Sequence, residues 1–198
     1  DRFGSDKPDL RFGYELRDLS DAVRGCGFKV FEGALEKGGS VRCITVDGGA
    51  EKFSRKDIDA LTEFVKTYRA GGLAWAKLQS GQVQSSFGKF LSEETMQALL
   101  SKAEAKDGDL VLVVADGKND TVFAALGALR CECARRTGVI DKDAWKFVWV
   151  VDFPLYEYDE EEGRLVAKHH PFTAPKTEDI PLLDTSPEKV RAQAYDIV

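Results

Sequence analysis

Ser40–Gly49, SVRCITVDGG, carries the clearest strand signal in the chain: β-branched residues in a short apolar run, closed by the Asp47-Gly48-Gly49 turn. A second run of strand length, Asp109–Ala115 (DLVLVVA), is apolar almost throughout. Helical spacing separates the two. Ser54 can cap a helix with Asp57 in its first turn, and Ile58, Leu61, Val65 and Tyr68 then recur as one buried stripe until Gly71-Gly72. Leu73–Leu78 reads as a strand, and Ser92 caps a further helix whose Met96, Leu99 and Leu100 face inward. After the second run, Asn119 or Asp120 is placed to cap a helix reaching about Arg136, with Gly138 beyond its end. Upstream, the pattern predicts a helix over Leu16–Arg24, stopped by Gly25-Cys26-Gly27, and a strand over Phe28–Leu35. Helices and strands therefore alternate irregularly and several turns are tight. The expectation is an α+β fold, layered, with helices on a mixed or antiparallel sheet.

Composition narrows the classes. The chain has 198 residues, 43% hydrophobic and 31% charged, as in an ordinary globular domain. Its 34 acidic and 28 basic residues give a formal charge of -6, which argues against a broad electrostatic grip on nucleic acid. No apolar run approaches the roughly 20 residues that cross a bilayer, so no membrane partner is expected. The first residues, Asp1-Arg2-Phe3-Gly4, contain no initiator Met and no signal-peptide stretch, and read as internal to a longer protein of the cytoplasm. Cys131 and Cys133 lie two apart in a helical pattern and do not share a face, so a shared zinc is not expected. Cys43 reads as a small core residue.

The chemistry is concentrated in Phe147–Pro175, FVWVVDFPLYEYDEEEGRLVAKHHPFTAP. It reads as two strands around the acidic turn Asp159–Gly163, followed by His169-His170, the two histidines of the chain. Imidazole can donate, accept or carry charge near neutral pH, which suits ligand contact. Packing at a strand end suits the pair as well. One shared metal does not, because neighbouring strand residues point to opposite faces. Trp75, Trp145 and Trp149 stand at strand-like positions where burial is expected. The glycine pairs match no phosphate-binding fingerprint.

Three segments, GSDKPDLRFG (4–13), the stretch ending in HHPFTAP (169–175) and LLDTSPEKVRAQAYDIV (182–198), closely resemble bacterial-type aspartyl-tRNA synthetases, ligases of class II. The resemblance implies a fragment: a GAD insertion domain at 16–146, flanked at 1–15 and 147–198 by pieces of the catalytic domain. One of those pieces would be a β-hairpin of the class II catalytic sheet. It implies that His169 contacts the substrate L-aspartate and that His170 helps shape the pocket, by positioning rather than proton transfer. It implies ATP with Mg²⁺, L-aspartate and tRNA(Asp) as partners of the parent enzyme, and a homodimeric parent. The cation array that aspartate activation requires lies outside these residues, so the fragment alone is expected to be inactive and to bind no cofactor tightly. The insertion is expected to contact the acceptor side of the tRNA or to steady the catalytic domain. An alternative is a non-catalytic GAD-like tRNA-binding module of a tRNA-dependent amidotransferase, which would share the middle of the chain but not its flanks. A small metal-dependent hydrolase built on the histidine pair is a third reading, without a clear ligand set.

Overall fold

The computed structural model describes residues 2–159 and 161–198 and divides into two compact units, one running to Trp145 and one from Lys146 to Val198. The first unit holds β1 (Arg17–Asp18), α1 (Lys29–Glu36), β2 (Ser40–Val46), the single turn α2 (Gly49–Lys52), α3 (Arg55–Lys66) and β3 (Ala74–Gln79). β4 (Gln82–Ser85), α4 (Glu93–Lys102), β5 (Leu110–Asp116) and α5 (Asn119–Thr137) complete it. Its five strands form one sheet in the order β1-β2-β5-β3-β4, with every neighbouring pair antiparallel. The two runs singled out in the sequence are its centre: Ser40 pairs with Asp116 and Val46 with Leu110.

The unbroken apolar run of β5 has a direct structural cause. Leu110, Leu112 and Val114 pack with Ile58, Leu61 and Val65 of α3 and with Val122, Leu126 and Leu129 of α5. Val111 and Val113 point the other way, onto Phe31 of α1 and Leu99, Leu100 and Ala103 around α4. An antiparallel strand usually alternates because one face is wet; here helices cover both faces, and alternation disappears.

α3 starts where its cap predicts. The Ser54 hydroxyl accepts from Asp57 N, and the Asp57 carboxylate accepts from Ser54 N, a reciprocal capping box. α4 begins with half of that arrangement, Thr95 N donating to Ser92 Oγ. α5 ends at Gly138, which takes the left-handed conformation at φ 69°.

Several expectations need correction. Leu16–Arg24 is not a helix: Arg17 and Asp18 form the edge strand β1, opposite Cys43 and Arg42, and turns follow. Leu16 is buried in the α3/α5 core and Leu19 in the α1/α4 core, a division across the sheet that an extended segment makes and one helix stripe does not. Phe28–Leu35 is not a strand but most of α1, with Phe31 and Ala34 buried at helical spacing and Val30 outside. α3 stops at Lys66, well before the glycine pair, and Tyr68 is 38% exposed, outside the buried stripe. Lys118, not Asn119 or Asp120, takes the cap position of α5. The hairpin of β3 and β4 was not anticipated; Ser80 and Gly81 turn it with φ 54° and 72°.

The N-terminal segment is fastened to α5 by Arg130, a side chain only 1% exposed. Its Nη2 donates to the carbonyls of Asp9 and Gly13 at 3.0 and 2.8 Å, and its Nε donates to that of Tyr14 at 3.3 Å. The guanidinium also lies over the rings of Phe3 and Phe12, 5.0 and 4.4 Å from their centroids. One turn away, Gly127 meets Gly4 so closely that a Cβ on Gly127 would lie 2.5 Å from Gly4 O.

The second unit is built from short pairings. β6 (Trp149–Val150) pairs with β9 (Asp196–Ile197), and β7 (Tyr156–Asp159) forms a hairpin with β8 (Arg164–Ala167). The stretch from Phe147 to Asp159 is therefore not one strand: β6 ends at Val150, and Asp152, left-handed at φ 60°, interrupts the run before Pro154 pairs with Arg191. Of the acidic turn, Glu160 lies outside the described residues; Glu161 N and Glu162 N both donate to Asp159 Oδ1. A small core gathers Phe153, Leu155, Val190 and Ala192. The tryptophans divide. Trp75 is buried, whereas Trp145 and Trp149 are 83% and 59% exposed, against expectation; neither stands on a strand covered on both faces as β3 is.

Candidate functional site

β8 delivers the chain to the histidines. Lys168 N donates to Leu155 O at 3.0 Å, the last rung of the hairpin, and His169 and His170 follow in an exposed loop. The two rings are used differently. His170 serves its own turn: its Nδ1 accepts from Phe172 N at 3.2 Å, and its carbonyl accepts from Thr173 N at 3.0 Å. With Nδ1 accepting, the neutral imidazole carries its proton on Nε2. His169 stands edge-on to the ring of Phe153, centroids 4.7 Å apart. Among the described residues nothing hydrogen-bonds its ring nitrogens, so both remain open to a ligand.

The far end of the loop is pinned as well. Gln193 N donates to Ala174 O at 2.8 Å and Lys176 N to Arg191 O at 2.9 Å. Arg191 is the centre of an ion cluster. It grips Asp179 with Nε to Oδ2 at 2.7 Å and Nη2 to Oδ1 at 2.8 Å, a bidentate pair, and its backbone N–H donates to the same carboxylate. These bonds, the side-chain one foremost, hold the Asp179 carboxyl down at about 2. Asp152 joins the cluster by pairing with Lys176, and it lies 3.5 Å from Arg191; the Lys176 hydrogen bond keeps its carboxyl below the usual range. None of these residues was singled out from sequence. A left-handed backbone at Asp152 has no spelling of its own, and pairs 24 and 12 residues apart leave no local pattern.

The other charged loop of the sequence, Ser5–Asp9, belongs to the first unit. Ser5 Oγ accepts from Lys7 N at 3.0 Å, and Asp9 takes a bidentate contact from Arg11. Its tip, from Ser5 to Lys7, is exposed. Cys43 and Cys133 offer no nucleophile. Burial pushes the thiols of Cys43 and Cys133 up to about 12, far above the range of a reactive thiolate. The first unit also has an open groove of about 590 Å³, floored by Gly33, Ala34 and Gly117 and edged by Lys29, Lys37 and Lys118. No helix among the described residues is long and apolar enough to cross a membrane.

The model of the GAD domain matches residues 31–126, the body of the first unit from α1 into α5. An aspartate–tRNA ligase of Ruminiclostridium cellulolyticum is 57% identical over the whole chain, and two from Clostridium botulinum strains, Loch Maree and Kyoto, are 56% and 57% identical over it. This chain resembles one third of an aspartate–tRNA ligase, end to end. In each of those three ligases the matched part is 33% of the length, so the chain spans about a third of the curated relatives it matches. The likeness to the ligases is thus not confined to the three motifs; it runs through the GAD domain and both flanks.

Proposed function

We propose that this chain is the part of an aspartate–tRNA ligase in which a GAD insertion meets the catalytic domain, with the β7–β8 hairpin belonging to the class II catalytic sheet. The observation that carries the reading is an overall identity of 56–57% to ligases in matches that cover the whole chain, flanks included. The whole enzyme would activate L-aspartate with ATP, release pyrophosphate and pass the aspartyl group to tRNA(Asp), in the cytoplasm and as a homodimer. His169 contacts the bound aspartate. Its open ring nitrogens and its fixed stance against Phe153 support this: a hydrogen bond from a held imidazole orients the substrate before reaction. His170 shapes the pocket wall, since its Nδ1 is committed to Phe172 N.

ATP and Mg²⁺ belong to the rest of the enzyme. Among the described residues there is no group of three or more His, Cys, Asp or Glu side chains arranged for a metal, and the cations flanking His169 are already engaged by carboxylates. No step through Mg²⁺ is assigned to these residues, and the isolated chain is expected to be inactive. For the insertion, an RNA contact is local rather than general. The groove edged by Lys29 and Lys37 brings two ammonium groups to one place in a chain of net charge -6.

Aspartate-dependent ATP–pyrophosphate exchange by the full-length protein that carries this segment tests the reading, with His169→Ala alongside. Exchange that falls by about 100-fold in the variant is the expected result. Exchange that survives the substitution would return His169 to packing alone. No exchange at all would favour the other reading, a GAD-like tRNA-binding module of a tRNA-dependent amidotransferase.

A further inference from the structure

Asp152 combines a left-handed backbone with a carboxylate shared between two cations. Its backbone is left-handed at φ 60°, a conformation that non-glycine residues adopt at a cost and that clusters at functional sites. Its carboxylate also binds two cations from distant parts of the second unit, Lys176 and Arg191. Each of these contacts borders the histidine loop. Asp152 directly precedes Phe153, the ring on which His169 rests. Lys176 is the residue at which that loop ends, and Arg191 accepts Lys176 N at its carbonyl while Ala192 N donates to Phe153 O at 2.7 Å. One carboxylate thus ties the floor beneath His169 to the exit of the loop that carries it.

We propose that Asp152 is a positioning residue: through Lys176 and Arg191 it fixes the loop from Lys168 to Lys176, so that His169 is held against Phe153 with its ring nitrogens presented to the amino-acid substrate. The inference rests on reading His169 as an aspartate contact. The charge, not the shape, does the holding. Asn tolerates the left-handed region as Asp does and has almost the same volume, so Asp152→Asn removes the ion pairs while leaving the turn in place.

Two measurements test this together. In the full-length protein, Asp152→Asn and Lys176→Met are each expected to raise KM for aspartate about 10- to 100-fold. KM for ATP should stay unchanged, and the thermal midpoint should fall only slightly. The double variant should be no worse than either single one, because both break one link. In the 198-residue chain, the proton resonances of the His169 ring should lose the ring-current shift imposed by Phe153 in either variant. A thermal midpoint that falls while KM for aspartate holds would mark the cluster as merely structural and overturn the proposal. Should the unsubstituted full-length protein show no exchange with aspartate, the ligase reading fails by itself. The resonance measurement then still decides whether Asp152 positions His169, since a ring shift unaltered by Asp152→Asn would refute it.

Discussion

Arg130 holds a charge almost out of water with no carboxylate in contact among the described residues; three backbone carbonyls and two aromatic faces supply what solvent would have. Burial lowers its pKa from the ordinary value, the direction expected for a cation taken from water. The arrangement also closes an account at the N-terminal segment, whose turns leave the carbonyls of Asp9, Gly13 and Tyr14 needing donors. Arg130→Met fills similar space but returns none of those donors. Replacing a buried ion pair by apolar residues can be neutral because both partners go. Here the acceptors remain. Arg130→Met is therefore expected to destabilise the first unit by about 3 kcal/mol, and Arg130→Lys is expected to recover only part of that, because an ammonium cannot serve the same fork. Urea unfolding would register the loss as a lower midpoint at constant slope; a midpoint equal to that of the unsubstituted chain would show that the carbonyls find other partners.

At the scale of elements, local chemistry decides where helices begin. α3 depends on one hydroxyl and one carboxylate exchanging hydrogen bonds with each other's backbone. Ser54→Ala removes half of that box and is expected to cost about 1 kcal/mol, read as a lower thermal midpoint, while Ser54→Asp should cost little. An unchanged midpoint for Ser54→Ala would mean that packing of Ile58, Leu61 and Val65 holds the first turn unaided. Features of this local kind are the ones legible in the sequence: the caps at Ser54 and Ser92, the αL stop at Gly138, and the strands β2, β3 and β5. What misled was spacing without knowledge of the opposite surface. Leu16, Leu19 and Val23 repeat like a helix because the edge strand and its following turn feed two different cores. Phe28–Leu35 reads as a strand, though Lys29–Glu36 is helical, because eight residues around a glycine carry too little period to separate the alternatives. The candidate site divides in the same way. The histidines are adjacent in sequence, so the pair is legible there; the cluster that braces them joins residues 152, 176, 179 and 191, which only tertiary structure gathers.

On the scale of the whole molecule, the two units are stabilised by different means, and acid should separate them. The first has a five-stranded sheet buried on both faces, a source of stability that does not titrate. The second has, among its described residues, a core of four buried apolar side chains and a cluster in which Arg191 and Lys176 are held by Asp179, Asp152 and Glu178. Asp179 carries a carboxyl depressed to about 2 in the folded state, against roughly 3.9 in an unfolded chain. A depressed folded value means that its stabilisation is complete above the unfolded value and is lost as pH falls toward the folded one. Asp152, lowered in the same direction, adds to the effect as its carboxylate is protonated. The expected outcome is that amide protection around Val190 and Ala192 collapses between about pH 4 and pH 2 while that of β2 and β5 persists. Hydrogen exchange across that range, read segment by segment, measures it. Arg191→Met supplies the control: without the guanidinium the Asp179 carboxyl regains an ordinary pKa, so the second unit should be weakened already at pH 7 and lose less on acidification. If both units instead lost protection together, or if the Met variant kept the full acid response, the ion cluster would not be what holds the histidine loop's unit in place.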